Sequence, residues 1–130
     1  MLIDANIFLE ILLEQEKAEK CRKALIEVEK GKEATTTNFT IDSIIIVMNR
    51  KKATLSKIKL FIMSILSYKS LRIYHQTLRD RVHALDWMKK YNLDYEDALT
   101  LQSAISTGSK EILSFDSDFD KIKEIKRIEP

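Results

Sequence analysis

Short apolar or β-branched runs alternate with segments of helical period along the whole chain, and this alternation constrains the fold more than any other feature. Residues 1–4, 34–37, 71–74, 111–115 and 125–128 read as strands. Between them apolar residues recur at helical spacing: Ala18, Cys21, Leu25 and Val28; Leu55, Ile58, Ile62 and Ile65; Leu78, Val82 and Leu85; Ala98, Leu101 and Ile105. Asn6 is expected to N-cap a helix running to about Gln15, and Asp94 another that starts at Tyr95. Gly31 and Gly108 each follow a helical segment and read as C-caps. Ile41 to Met48 stays open, because Ile44-Ile45-Ile46-Val47 favours a strand while Thr40 and Asp42 resemble a helix start. Strands joined through helices need right-handed crossovers, so an α/β fold is expected, with a mostly parallel sheet covered on both faces.

Two glycines and one proline, the final Pro130, leave no linker, so residues 1–130 are expected to form one domain. No apolar run reaches the ~18 residues of a membrane span. The opening Met1-Leu2-Ile3-Asp4 lacks a basic region and is interrupted by an acid, unlike a secretory signal. Cys21, the single cysteine, cannot form an internal disulfide, which points to a reducing cytoplasm; on its apolar stripe it reads as buried. Trp87 likewise reads as core, and His75 and His83 as surface or packed residues rather than ligands.

In open parallel sheets ligands bind beyond the carboxyl ends of the strands. Asp4 and Asp116 stand at such ends, and Asp42 and Asp97 fall in the first turns of helices expected to start on the same side. Taken singly, Asp97 and Asp42 could serve a helix dipole, and Asp116 could cap a turn. Together, four carboxylates at one sheet edge repel one another unless a cation joins them, and an all-oxygen set of hard ligands selects Mg²⁺ or Mn²⁺. Such an ion binds phosphate oxygens and lowers the pKa of a coordinated water, as phosphodiester hydrolysis requires. The net charge is only +2, but setting four aspartates apart in one pocket leaves the rest of the chain four charges more positive. That distribution suits an anionic backbone.

Asp4-Ala5-Asn6, Thr40-Ile41-Asp42-Ser43, Tyr95-Glu96-Asp97-Ala98 and the run Leu113 to Asp120 (Leu-Ser-Phe-Asp-Ser-Asp-Phe-Asp) resemble, in order, the four acidic motifs of PIN domains. The resemblance spans nearly the full chain, and the last two motifs are the more specific. It implies a three-layer α/β/α fold with a five-stranded sheet of order 3-2-1-4-5, and a helix over Ile41 to Met48. It further implies an Mg²⁺- or Mn²⁺-dependent ribonuclease with Asp4, Asp42, Asp97 and Asp116 as catalytic acids. Of these, Asp4, Asp97 and Asp116 would be the metal ligands, Asn6 would support them through bound water, and Asp118 would assist Asp116. Asp42 stands where the family usually has glutamate and is one methylene shorter.

Many compact PIN proteins are toxins of VapBC-type toxin–antitoxin modules, so the resemblance implies an RNA substrate and a small antitoxin partner. Arg50, Lys51 and Lys52, with Lys57 and Lys59, are candidates to guide an RNA backbone, although a solvated face explains them as well. Leu60, Phe61 and Met63 lie off the inward stripe of their helix, an apolar excess that suits a homodimer or antitoxin contact. The shortened Asp42 keeps a second reading open, a weak or inactive PIN domain that binds RNA or protein. A haloacid-dehalogenase-type phosphotransferase is disfavoured because Asp4-Ala5-Asn6 lacks the second aspartate. A receiver-like domain is disfavoured because Tyr74-His75 stands where its aspartate would follow the third strand.

Overall fold

The computed structural model describes residues 1–130. In chain order the elements are β1 (Leu2–Ile3), α1 (Ala5–Leu12), α2 (Ala18–Glu29), β2 (Ala34–Thr37), α3 (Asn38–Arg50) and α4 (Leu55–Ser67). There follow β3 (Leu71–Tyr74), α5 (Leu78–Tyr91), α6 (Tyr95–Ser106), β4 (Glu111–Leu113), a 3-10 turn (Ser117–Lys121) and β5 (Lys126–Ile128). The five strands form one sheet of order β3-β2-β1-β4-β5, and every pairing is parallel. No helix is long and apolar enough to cross a membrane.

Strand alternation divides the core in two. Ile3 and Leu113 point to the face covered by α1 to α4, with Ile7, Phe8, Cys21, Val28, Ile44 and Phe61. Leu2 and Ile112 point to the other face, under α5 and α6, with Ala84, Leu99, Leu101 and Phe119. Cys21 is fully buried, as expected from its stripe. Both glycines close helices. The Gly31 N–H bonds to Val28 O and Lys32 N–H to Glu27 O, and Gly108 and Ser109 repeat the pattern on Ile105 and Ala104. In each case the glycine takes the positive φ that this closure needs.

Ile41 to Met48 is helical, within α3. Thr37 caps it, accepting from the Thr40 N–H at 3.0 Å, and Ile44 and Met48 fall one turn apart on the buried face. Helical burial overrides the strand propensity of the β-branched run.

Several inward assignments are corrected. The helix after β1 is capped by Asp4, in extended conformation at ψ 158, so Asn6 lies inside α1, which ends at Leu12. On α5, Leu78, Val82 and Leu85 face solvent, Leu78 at 80% exposure, while Asp80 and Ala84 are buried and Trp87 is half-buried. On α4, Phe61 and Ile65 are inward, whereas Leu55, Leu60, Ile62, Met63 and Leu66 are exposed. Ile105 is also partly exposed. Periodicity shows that a helix has an apolar face; these two helices carry apolar residues on more than one face, and the side that packs is set by their neighbours.

Candidate metal centre

The register Ile3↔Leu113 puts Asp4 and Ser114 side by side, one residue past the carboxyl ends of the two central strands. Asp4 is buried and held from three sides. Its Oδ1 accepts from the Ala5 N–H at 2.7 Å, while Oδ2 accepts from the Ser114 hydroxyl at 2.6 Å and the Asn6 amide at 2.8 Å. The Asn6 amide also reaches Ser114 Oγ at 2.9 Å, and the same oxygen accepts the Asp116 N–H at 3.0 Å. Ser114, fully buried, therefore ties Asp4, Asn6 and the backbone of Asp116 into one unit. Sequence reasoning did not assign Ser114 a role. The signal was its place beside Asp4 in a parallel pair, legible only once strand order is known.

Asp97 reaches the same edge from the first turn of α6. Asp94 takes the capping bond, accepting from the Asp97 N–H at 2.8 Å, so the Asp97 carboxylate has no capping duty. Asp116 caps the 3-10 turn through the Asp118 N–H at 2.9 Å. Carboxylate oxygens of Asp97, Asp116 and Asp118 lie within 4.8 Å of one another. Burial pushes the Asp97 carboxyl up to about 7, helped by the charges of Asp94, Asp116, Asp4 and Asp118. Burial also raises Asp4, opposed by its bonds to Ser114 and Ala5 and reinforced by Glu96 and Asp116. Mutual repulsion in a half-enclosed, all-carboxylate set is what a hard divalent cation relieves, so these residues fit Mg²⁺ or Mn²⁺.

Asp42 and the basic stretch Arg50 to Lys52 lie outside the grouped carboxylates. Asp42 is the fifth residue of α3, outside its first turn, and is exposed. Thr40, two residues earlier, is buried and hydrogen-bonded to Thr37 at 2.9 Å. Asp42 is not among the charges that act most on Asp4 or Asp97. Arg50, Lys51 and Lys52 are exposed at the far end of α3. A helix rising ~1.5 Å per residue carries them roughly 18 Å from its start at the carboxyl edge. They do not border the acidic cluster.

The family model described as PIN domain matches residues 1–125. A search of curated protein sequences finds no significant match. Among solved structures, the Mycobacterium tuberculosis toxin VapC20, described as cleaving the sarcin–ricin loop, superposes with a TM-score of 0.75 at 15% identity, covering 96% of this chain and 98% of that one. A toxin–antitoxin complex from Klebsiella pneumoniae gives 0.72 at 15% identity over 95% and 93% of the two chains. VapBC2 from Rickettsia felis, bound to a promoter DNA fragment, gives 0.70 at 12% identity over 98% and 96%.

Proposed function

The chain belongs to the PIN domain family, and from that premise we propose that it is a divalent-metal-dependent endoribonuclease serving as the toxin of a toxin–antitoxin pair. The observation that carries the proposal is the Asp97 carboxylate, freed of capping duty by Asp94 and held with those of Asp116 and Asp118 within 4.8 Å. In this reading Asp97 and Asp116 are metal ligands, Asp118 assists, and Asp4 supplies further charge from behind. When bound, Mg²⁺ or Mn²⁺ would activate a water and neutralise charge developing on the scissile phosphate. Ser114 and Asn6 fix the Asp4 carboxylate, so that the cluster is organised before substrate arrives. Asp42 receives no ligand role.

The test is cleavage of single-stranded and structured RNA by purified protein. Activity should require Mg²⁺ or Mn²⁺ and vanish with chelator. Asp97→Asn should lower it by more than about 100-fold, since even residues that only orient a metal's ligands cost roughly 10- to 100-fold. Full activity of Asp97→Asn would reject the site.

The toxin role is supported by similarity, over nearly the full length of both chains, to structures described as a toxin–antitoxin complex, a toxin and VapBC2. An apolar groove of about 330 Å³ between α1, α2 and α4, lined by Phe8, Leu25, Phe61, Ile65 and Tyr68, suits a small antitoxin. The exposed apolar side chains of α4 and α5 suit self-association to a homodimer. A buried single cysteine accords with a cytoplasmic setting.

One observation favours a second reading, a non-cleaving PIN domain that binds RNA or protein: Asp42, shorter than the glutamate usual in the family, is not among the grouped carboxylates. Mn²⁺ titration separates the two. A nuclease site should bind Mn²⁺ and raise the melting temperature; an inactive one should do neither.

A further inference from the structure

Of the two phenylalanines in the stretch Ser114 to Asp120, Phe119 is fully buried in the core under α5 and α6. Phe115 is only half-buried, against the opposite core. It lies between Ser114 and Asp116, both fixed in the acidic site, and its own N–H is directed to Asn6 Oδ1 at 3.4 Å. An aromatic side chain is thus held on a rigid backbone at the rim of the cluster.

Lys17 is exposed just before α2, where its backbone N–H is fixed by Glu10 at 3.0 Å. Its ammonium lies 4.1 Å from the centre of the Phe115 ring and takes part in none of the chain's ion pairs. The other basic groups of this motif are engaged, Lys121 by Asp118 and Arg127 by Asp120 and Glu129. Lys17 is therefore a cation in no direct ion pair, set over the ring of the residue that joins Ser114 to Asp116, with its charge reaching Glu129 from beyond ion-pair distance.

We propose that Phe115 and Lys17 form a nucleotide subsite next to the metal centre, the ring stacking on a base that flanks the cleaved bond and the ammonium taking the adjoining phosphate. Single-stranded nucleic acid is gripped by this pairing of an aromatic face for the base with a cation for the backbone. The cation–ring contact in the free protein is weak enough to be exchanged for the two nucleotide contacts. The inference rests on the ribonuclease reading and deepens it, because it places substrate contacts at the start of α2 and past the end of β4 rather than on Arg50 to Lys52.

The test is steady-state cleavage of a short fluorescent RNA in Mg²⁺ by wild type, Phe115→Leu, Phe115→Trp and Lys17→Met. Phe115→Leu should raise KM about ten-fold, the effect of losing one stacked base, with kcat little changed. Phe115→Trp should restore KM, which a purely packing role would not allow for so large a side chain. Lys17→Met should raise KM and reduce the salt dependence by about one phosphate contact. An RNA with an abasic site beside the cleaved bond should be cut by wild type as poorly as intact RNA is by Phe115→Leu. An unchanged KM in folded, active Phe115→Leu overturns the subsite and leaves the nuclease intact. If wild type cuts no RNA, the nuclease reading has failed, and anisotropy of labelled RNA with Ca²⁺ present decides the subsite by itself. There, equal affinity of wild type and Phe115→Leu overturns it, and weaker binding by the variant supports it.

Discussion

At Asp97, partial burial and four neighbouring carboxylates act in the same direction, and the proton stays on until about pH 7 instead of leaving near 3.8. Between those values the folded metal-free protein holds a proton that the unfolded chain has released. The contribution of Asp97 to stability is therefore greatest below pH 3.8 and declines as pH rises to about 7. Urea denaturation of metal-free wild type and Asp97→Asn should show stabilities that diverge in favour of the variant across this window; parallel curves would contradict the assigned repulsion. Bound Mg²⁺ must displace the same proton, so its stabilisation should be larger at pH 8 than at pH 6. Ser114 is the other decisive residue. Ser114→Ala strips a buried hydrogen bond from Asp4 and orphans the Asp116 N–H, at a cost of about 1–3 kcal/mol, which equilibrium unfolding would register. The positions of Asp4, Asp97 and Asp116 at the acidic edge were legible in the sequence, as residues closing strands or opening a helix. Ser114 was not, because its importance comes from pairing with a residue 110 positions away.

At the scale of elements, the strands and the period of the helices could be read locally, since alternation and 3.6-residue spacing are properties of neighbours in sequence. Which face packs could not. α5 turns Leu78, Val82 and Leu85 outward because its inner face is built around Asp80. Burial alone would raise that carboxyl, but bonds from Ser106, the Thr77 backbone and hydroxyl, and Tyr74 hold it at about 2. Val82→Lys should accordingly leave stability within about 0.5 kcal/mol, as for a surface site, whereas a core valine would cost far more. A large drop in melting temperature for the monomer would show the stripe to be packed. α3 carries the opposite lesson. Its Ile-rich segment was ambiguous locally, and the Thr37 cap with the buried Ile44–Met48 row decides for helix. Thr37→Ala should cost about 1 kcal/mol in denaturant unfolding, the usual worth of an N-cap.

For the whole molecule, the order β3-β2-β1-β4-β5 is what brings Asp4, Asp97 and Asp116 to one edge although they lie far apart in sequence. Strand order was available only through the resemblance to PIN domains, since local pattern fixes elements and not their neighbours. The same architecture explains why Arg50 to Lys52 fall away from the site. A crossover helix runs back against the strand direction, so a basic cluster at its end emerges at the opposite edge. The central claim is that the acidic edge holds one hard divalent ion, and anomalous scattering from crystals grown with Mn²⁺ tests it most directly. The account predicts a manganese peak bounded by carboxylate oxygens of Asp97 and Asp116, with Asp4 or Asp118 beside it, and no peak in Asp97→Asn. Manganese absent from that edge in well-ordered, metal-saturated wild-type crystals, or bound only elsewhere, would contradict it.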